Sequence, residues 1–558
     1  MNRPSISSLW FRISSVILSA VWDGSGKPRR LVLALAILTL LLPAAAAKSP
    51  KIGKDLDTKK DSEVDVIVQY RVEPTSTHRG KAAQKGGKLK AELKSAKADV
   101  YTVSASALED LAADPDVKFI SPDRPVGAND IYVNDASGAV TAQRYGWDGA
   151  GIGIAVIDSG VSKPPDLSSR VVYSQSFVAQ GADEKYGHGT HVAGIIAGSG
   201  KDSSKKYTGV APGASIVALR VLDDNGVGTD SVVIAAIDRA IELKTKYNIR
   251  VMNLSLGRAA QESYTLDPLC QAVERAWKAG IVVVAAAGNN GRYEPTSGYA
   301  TIGSPGIDPF IITVGAMKAM NTLGRGDDQI ASYSSKGPTP IDHVIKPDLV
   351  ATGNRVISVN TKGVSILNEK FPTNVLSAKY FTLSGTSMAA PVVSGAVALM
   401  LEKTPSLTPN QVKARLMKTA YKQFPASSSV VDPVTGKTLT SFYDIFTVGA
   451  GYLDIPAALA NTDLVTTPPT TPLSPRAFYD VTTGAVSMVN GSSLVWGDSL
   501  VWGSSLVWGN SLVWGNSLVW GDSLVWGDST MAGFSLVWGS SLVWGANTTG
   551  FTIAAGEN

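Results

Sequence analysis

From Gly151 onward, short uninterrupted apolar runs alternate with segments of helical periodicity. The runs cover residues 152–157, 215–221, 251–254, 281–286 and 311–314, with helical stretches such as 230–243 and 269–279 between them. A strand that is apolar on both faces must be covered on both, and strands joined through helices run parallel. The pattern predicts an α/β fold of three layers around a mostly parallel central sheet. In such sheets functional side chains collect at the carboxyl ends of strands.

The 558 residues exceed what one core accommodates, so several domains are expected. With 44% hydrophobic and 18% charged residues the composition is that of a globular chain. A formal charge of +4 is small for this length and gives no reason to expect nucleic acid as a partner. The single cysteine, Cys270, excludes an intramolecular disulfide. It sits in a helical pattern and reads as a small core residue rather than a nucleophile.

Residues 31–42 form a continuous apolar run, preceded by Lys27, Arg29 and Arg30 and followed by Pro43 and four alanines. That order describes a signal peptide over 1–47 and an exported protein, secreted or held at the cell surface. The run is shorter than the ~20 residues of a membrane span. The long segment before it leaves an uncleaved anchor open, and the arginine pair leaves the twin-arginine route open. Residues 48–126 read as a small α+β unit. Strands are expected at 64–70, 100–103 and 117–120, and helices at 81–97 and 106–113.

Residues 466–490 are rich in Thr and Pro and read as a linker. From 491 to 558 a Ser-Leu-Val-Trp-Gly unit recurs with a period of six, carrying Trp496, Trp502, Trp508, Trp514, Trp520 and Trp526 and resuming at Trp538 and Trp544. Leu and Trp would share one face of a strand and Val the other. A β-solenoid and a sticky low-complexity tail both fit. Tryptophans in series are costly unless buried, so the tail is expected to bind a cell surface or self-associate.

Three segments carry chemistry. Val156-Ile157-Asp158-Ser159-Gly160 ends a buried strand with an acid. Gly187-His188-Gly189-Thr190-His191-Val192-Ala193-Gly194 opens a helix of small residues with an imidazole. Ser384-Gly385-Thr386-Ser387-Met388-Ala389-Ala390-Pro391 opens an apolar helix with a hydroxyl. A serine hydroxyl needs a base to take its proton, and that base needs an acid to fix its tautomer.

These segments, in the order Asp, His, Ser, resemble the subtilisin-like serine proteases, or subtilases, over about 147–459. Ala331–Pro338 and the closing Gly449-Ala450-Gly451-Tyr452-Leu453-Asp454 share the resemblance. It implies a serine endopeptidase domain over 127–465, with Asp158 orienting the base, His188 as base and Ser387 as nucleophile. It implies Asn289 as a side-chain donor to the oxyanion and the Ser387 N–H as a second donor. Ser255, Leu256 and Gly257 would pair with the substrate backbone on one rim, and Gly226 and Gly228 on the other. The amino-terminal unit resembles the ferredoxin-like propeptide of the family, which implies an inhibitor and folding chaperone cut away between Pro125 and Tyr132.

The expected partners are a protein or peptide substrate and the chain's own propeptide. No cofactor is required for the chemistry. The calcium loop that many subtilases carry inside the helix of the catalytic histidine is missing between His191 and Gly213, where only Asp202 is a candidate, so no metal ligand is assigned; structural calcium elsewhere stays open. His191 shares a helix side with His188, but the resemblance makes it structural rather than half of a metal pair. An adhesion protein on a dead protease fold, and a processing enzyme dedicated to one partner, are the rival readings.

Overall fold

The computed structural model describes residues 49–53, 56, 62–123, 125–128, 138–181, 183–320, 325–432, 435–465, 470–479 and 486–489. The apolar run at 31–42 and the Trp repeat lie outside the described residues.

Strands β1 (Glu63–Tyr70), β2 (Lys88–Leu93), β3 (Ala98–Ser104) and β4 (Val117–Pro122) form an antiparallel sheet in the order β2-β3-β1-β4. With helices Ser76–Gln84 and Leu108–Ala112 they complete a β-α-β-β-α-β unit of ferredoxin-like topology. The helix expected over 81–97 is corrected here. The helix stops at Gln84, and Gly86 takes φ +83°, a left-handed value that suits glycine. Residues 88–93 then form β2, because pairing with β3 outweighs the helical preference of Lys, Ala and Leu. Ile67, Leu93, Ala98 and Val100 join the main apolar cluster of the molecule, so one sheet face of this unit is packed against the larger domain. Polar contacts reinforce it: Ser95 N donates to Asp238 (2.9 Å) and Ser231 N donates to Asp123 (2.8 Å).

The remaining strands are β5 (Pro125–Ala128), β6 (Gly153–Asp158), β7 (Val171–Ser176), β8 (Ser215–Arg220), β9 (Val227–Thr229), β10 (Ile249–Leu254), β11 (Leu256–Gly257), β12 (Val282–Ala286), β13 (Ile312–Lys318), β14 (Gln329–Ile330) and β15 (Leu349–Thr352). Parallel pairing runs β7-β8-β6-β10-β12-β13-β15, and β14 adds antiparallel to β13. Every residue of β6, β12, β13 and β15 is buried, as continuous apolar runs require. The chain leaves β6 for β7 and β8 on one side and adds β10, β12 and β13 on the other. Strand β6 is therefore the point where strand order reverses, the usual place for a site in such sheets.

Helix Thr386–Lys403 is buried from Thr386 to Leu401 and packs on β10, β12, β13 and β15. A helix apolar on all sides belongs inside a core. A buried polar chain pins it in place: Ser394 Oγ donates to Asn253 Oδ1 (2.8 Å), Asn253 Nδ2 to Ser255 Oγ (2.9 Å), and Ser255 Oγ to the Ser387 carbonyl (2.7 Å). Cys270 is fully buried in helix Pro268–Lys278, and burial pushes its thiol far above the ordinary value, so it is a core residue.

The Thr/Pro-rich stretch does not run free over its described part. Leu473 is buried, Ile345 N donates to the Pro475 carbonyl (2.8 Å), and Ala477 N donates to the His343 carbonyl (2.7 Å). Ser474 Oγ donates to Asp348 (2.5 Å) and accepts from Lys413 (2.8 Å). Asp348, Lys346 and Lys413 are fully buried together. Burial alone would raise the Asp348 carboxyl, but the two ammonium groups hold it below its ordinary value.

Asn253→Ala would leave the Ser255 and Ser394 hydroxyls short of a buried partner, at about 1–3 kcal/mol for an orphaned group. Denaturant unfolding should show a loss of at least that size; an unchanged midpoint would contradict the role given to this chain of bonds.

Candidate active site

Asp158 is the last residue of β6, so the buried strand delivers its carboxylate to the carboxyl edge of the sheet. His188 is the first residue of helix His188–Ala197. The two meet because residue 189 is glycine: a Cβ there would collide with the Gly160 carbonyl and stand 3.1 Å from Asp158 Oδ1. His188 Nδ1 lies 2.8 Å from Asp158 Oδ1 and 3.0 Å from Oδ2. In this geometry Nδ1–H donates to the carboxylate and Nε2 is the basic atom. Ser159 N donates to the same Oδ1 (2.7 Å).

Ser387 stands in the first turn of its helix. Its hydroxyl donates to the Ser255 carbonyl (3.0 Å), and its own carbonyl accepts from Ser255 Oγ. Asn289 lies on the loop after β12. Its Oδ1 accepts from Thr386 N (3.0 Å) and Thr386 Oγ1 (3.0 Å), which fixes which end of the amide faces the helix start. Asp158, His188 and Ser387 are fully buried, and Asn289 is 7% exposed.

The substrate-binding candidates occupy both rims of one groove, and the groove is filled. Strand β5 lies between β11 and β9 and pairs antiparallel with each: Gly127 with Gly257, Ala128 with Leu256, Val126 with Gly228, and Pro125 with Thr229. Of the candidates, Leu256, Gly257 and Gly228 face this strand directly. Ser255 adjoins the register, and Gly226 lies in the turn before β9.

One residue at the site escaped sequence reasoning. Glu184 is half-buried, with its carboxylate turned onto four donors: Ser159 Oγ (3.2 Å), Gly187 N (2.7 Å), Thr190 N (3.2 Å) and Thr190 Oγ1 (2.7 Å). Ser159 Oγ in turn accepts from Gly189 N (2.9 Å). Glu184 thus ties the strand end that carries Asp158 to the helix start that carries His188. Burial raises its carboxyl above the ordinary value, against the lowering pull of Gly187 and Thr190. Its position four residues before the histidine is the signal that could have found it.

His191 does not share the site. Its Nε2 reaches the carbonyls of Val356 (3.2 Å) and Phe381 (3.1 Å), so it carries the proton there and braces the strands Val356–Val359 and Tyr380–Leu383. Burial pushes its imidazole down to about 3. Asp202 is also otherwise engaged: its N–H donates to Asp166 (3.0 Å) and its carboxylate lies 3.7 Å from Lys379. Among the described residues no group of three or more His, Cys, Asp or Glu is placed to hold a metal ion.

An acid–imidazole pair at the switch point of a parallel sheet and a serine at the start of a core helix are the kinds of group a serine hydrolase uses. The sequence profile described as the Subtilase family matches residues 149–450, and the chain belongs to that family. It is similar to serine protease AprX of Bacillus subtilis, 38% identical over 347 residues that span 60% of this chain and 76% of AprX. It is 35% identical to subtilisin E of the same organism over 351 residues, 61% of this chain and 79% of that one. Among solved structures it resembles fervidolysin from Fervidobacterium pennivorans, a keratinolytic enzyme related to subtilisin, at a TM-score of 0.56 and 24% identity. That likeness covers 74% of this chain and 63% of fervidolysin, and concerns the fold. The protein is accordingly a subtilisin-family serine endopeptidase, a hydrolase.

His191 makes a signed prediction about acid stability. Its folded pKa of about 3 lies below the ordinary 6.5, so its contribution is complete above 6.5 and is lost as pH falls toward 3. His191→Gln keeps a side-chain donor for the two carbonyls but does not titrate. Its unfolding free energy should therefore fall less steeply than wild type across that window; parallel profiles would refute the assignment.

Proposed function

We propose that the chain is an exported serine endopeptidase made as a zymogen, with Asp158, His188 and Ser387 as catalytic triad. Asp158 orients the imidazole and stabilises its cation. His188 takes the proton of Ser387 Oγ as that oxygen attacks a peptide carbonyl, then returns it to the leaving amine. Asn289 and the Ser387 N–H would donate to the oxyanion, a role supported by the Thr386 bonds that hold the Asn289 amide oxygen away from it.

The observation that carries this reading is the strand in the groove. Pro125–Ala128 pairs with β9 and β11 in the extended form that a peptide substrate would take. Being antiparallel to β11, it runs toward Ser255, whose carbonyl holds the Ser387 hydroxyl. The ferredoxin-like unit that delivers it acts as a propeptide, blocking the groove as a substrate-like strand. The cut that matures the enzyme then falls past Ala128 and before Tyr132.

Expression of the full chain tests this directly. Wild type should yield a mature form whose amino terminus lies just past Ala128, labelled by a fluorophosphonate probe. Ser387→Ala should stay uncut and unlabelled. Asn289→Ala should mature slowly and lose about 10²–10³ in turnover, a value taken from the corresponding donor of subtilisin rather than derived from this geometry. A mature terminus before Pro125, or labelling that survives Ser387→Ala, would overturn the reading.

The Trp repeat completes the proposal as an attachment or self-association element. Because the chain is docked through Ala477 and pairs again as Arg476–Tyr479 with Val486–Val489, a clean deletion begins after Val489. Full-length protein should remain cell-associated or oligomeric and the truncated form should be released as monomer. Identical behaviour of the two would remove the tail from the proposal.

A further inference from the structure

The two rims of the groove, β9 and β11, do not pair with each other; among the described residues each pairs only with the strand between them. Something other than that strand must set their spacing once it leaves. Thr229, the end of β9, runs straight into Asp230, the first residue of helix Asp230–Leu243. Gly257, the end of β11, runs straight into Arg258. Arg258 Nε lies 2.8 Å from Asp230 Oδ1 and 3.0 Å from Oδ2, and its Nη2 lies 2.8 Å from Oδ2. The same Nη2 reaches Asp267 Oδ2 at 3.0 Å. Both carboxylates are fully buried and the guanidinium side chain is 5% exposed.

The anchorage extends outward on each side. Asp267 Oδ1 caps helix Pro268–Lys278, accepting from Leu269 N (2.9 Å) and Cys270 N (3.2 Å). The Arg258 backbone exchanges two hydrogen bonds with Ser304, at 3.0 and 2.8 Å. A planar guanidinium with donors on two edges is suited to hold two carboxylates at fixed separation, which an ammonium is not. Gly127 stands opposite Gly257, so backbone position 126 is level with Arg258 on one side and opposite Gly228 on the other.

Resting on the proposed reading of the groove, we propose that Arg258 is a positioning residue. Its bond to Asp230 straps the two rims at the separation one extended peptide strand needs to pair with both, and its bond to Asp267 anchors the strap. The strap lies to the non-primed side of Ser387, level with the far part of the bound strand. It therefore serves long peptides and not substrates that end at the scissile bond. Without it the rims must be ordered by the peptide itself, and that ordering is subtracted from binding. The strap touches neither the triad nor the scissile bond, and a loss of uniform binding of this kind is read in KM rather than kcat.

The experiment uses matured enzyme and two probes: an extended peptide amide long enough to lie along both rims, and a single-residue ester. Wild type is measured first. If it binds the extended peptide no better than the ester, the groove reading itself fails. Given that preference, Asp230→Ala cuts the strap while leaving the Arg258–Asp267 pair. It should raise KM for the extended peptide about tenfold with kcat within about twofold, and leave KM for the ester within about twofold. Arg258→Met cuts the strap from the other rim and should show the same split. Equal losses on both probes would mean general damage to the fold and would overturn the proposal, as would an unchanged KM for the extended peptide.

Discussion

Contact between Asp158 and His188 is the constraint on which the rest of the structure turns. It joins the end of the central strand to the start of a helix, two elements that come from sequence positions thirty residues apart. The contact requires the helix backbone to press against the strand's exit loop, and the missing Cβ of Gly189 permits this. Burial then strengthens the charge interaction, since little solvent remains to screen it. Glu184 and Ser159 brace the same junction from behind. Ser387 rests on a separate core helix, whose position is locked through Asn253 and Ser255.

Much of this was legible because the central sheet is buried on both faces. The apolar runs at 152–157, 251–254 and 281–286 have no other stable use, and β6, β10 and β12 lie there. The helix at 230–243 matched at both ends, because an acidic residue opens it and a clear apolar stripe continues it. What stayed hidden depends on partners distant in sequence. Val171–Ser176 is a half-exposed edge strand with mixed polarity, so it carries no continuous run. Lys88–Leu93 has helical composition and becomes a strand only against β3. Pro125–Ala128, with a proline and a glycine in four residues, has no strand signal at all; two rims waiting on either side make it one.

The same division holds for the site. Asp158, His188, Ser387 and Asn289, the proposed catalytic groups, stand in local motifs: Asp158 ends a strand, His188 and Ser387 open helices, and Asn289 lies on the loop after β12. Arg258 and Glu184 could not be weighed that way, since their meaning comes from what they touch. Arg258 looks like an ordinary surface arginine in sequence and is in fact nearly enclosed between two carboxylates. Ser474, in a stretch that composition marks as a linker, places its hydroxyl within a closed cluster of Lys413 and Asp348.

The strand in the groove also has a consequence for when the enzyme works. On the proposed reading, Pro125–Ala128 would compete with substrate, while covalently tied to the domain, at an effective concentration set by its short tether. Under the proposed processing, the cut removes that tether and leaves only the ordinary concentration of the released unit. The apolar face carried by Ile67, Leu93 and Val100 still favours its return. On that proposal dilution would be the activating signal: a molecule held in a crowded compartment would stay inhibited by its own fragment, and one released into open medium would not.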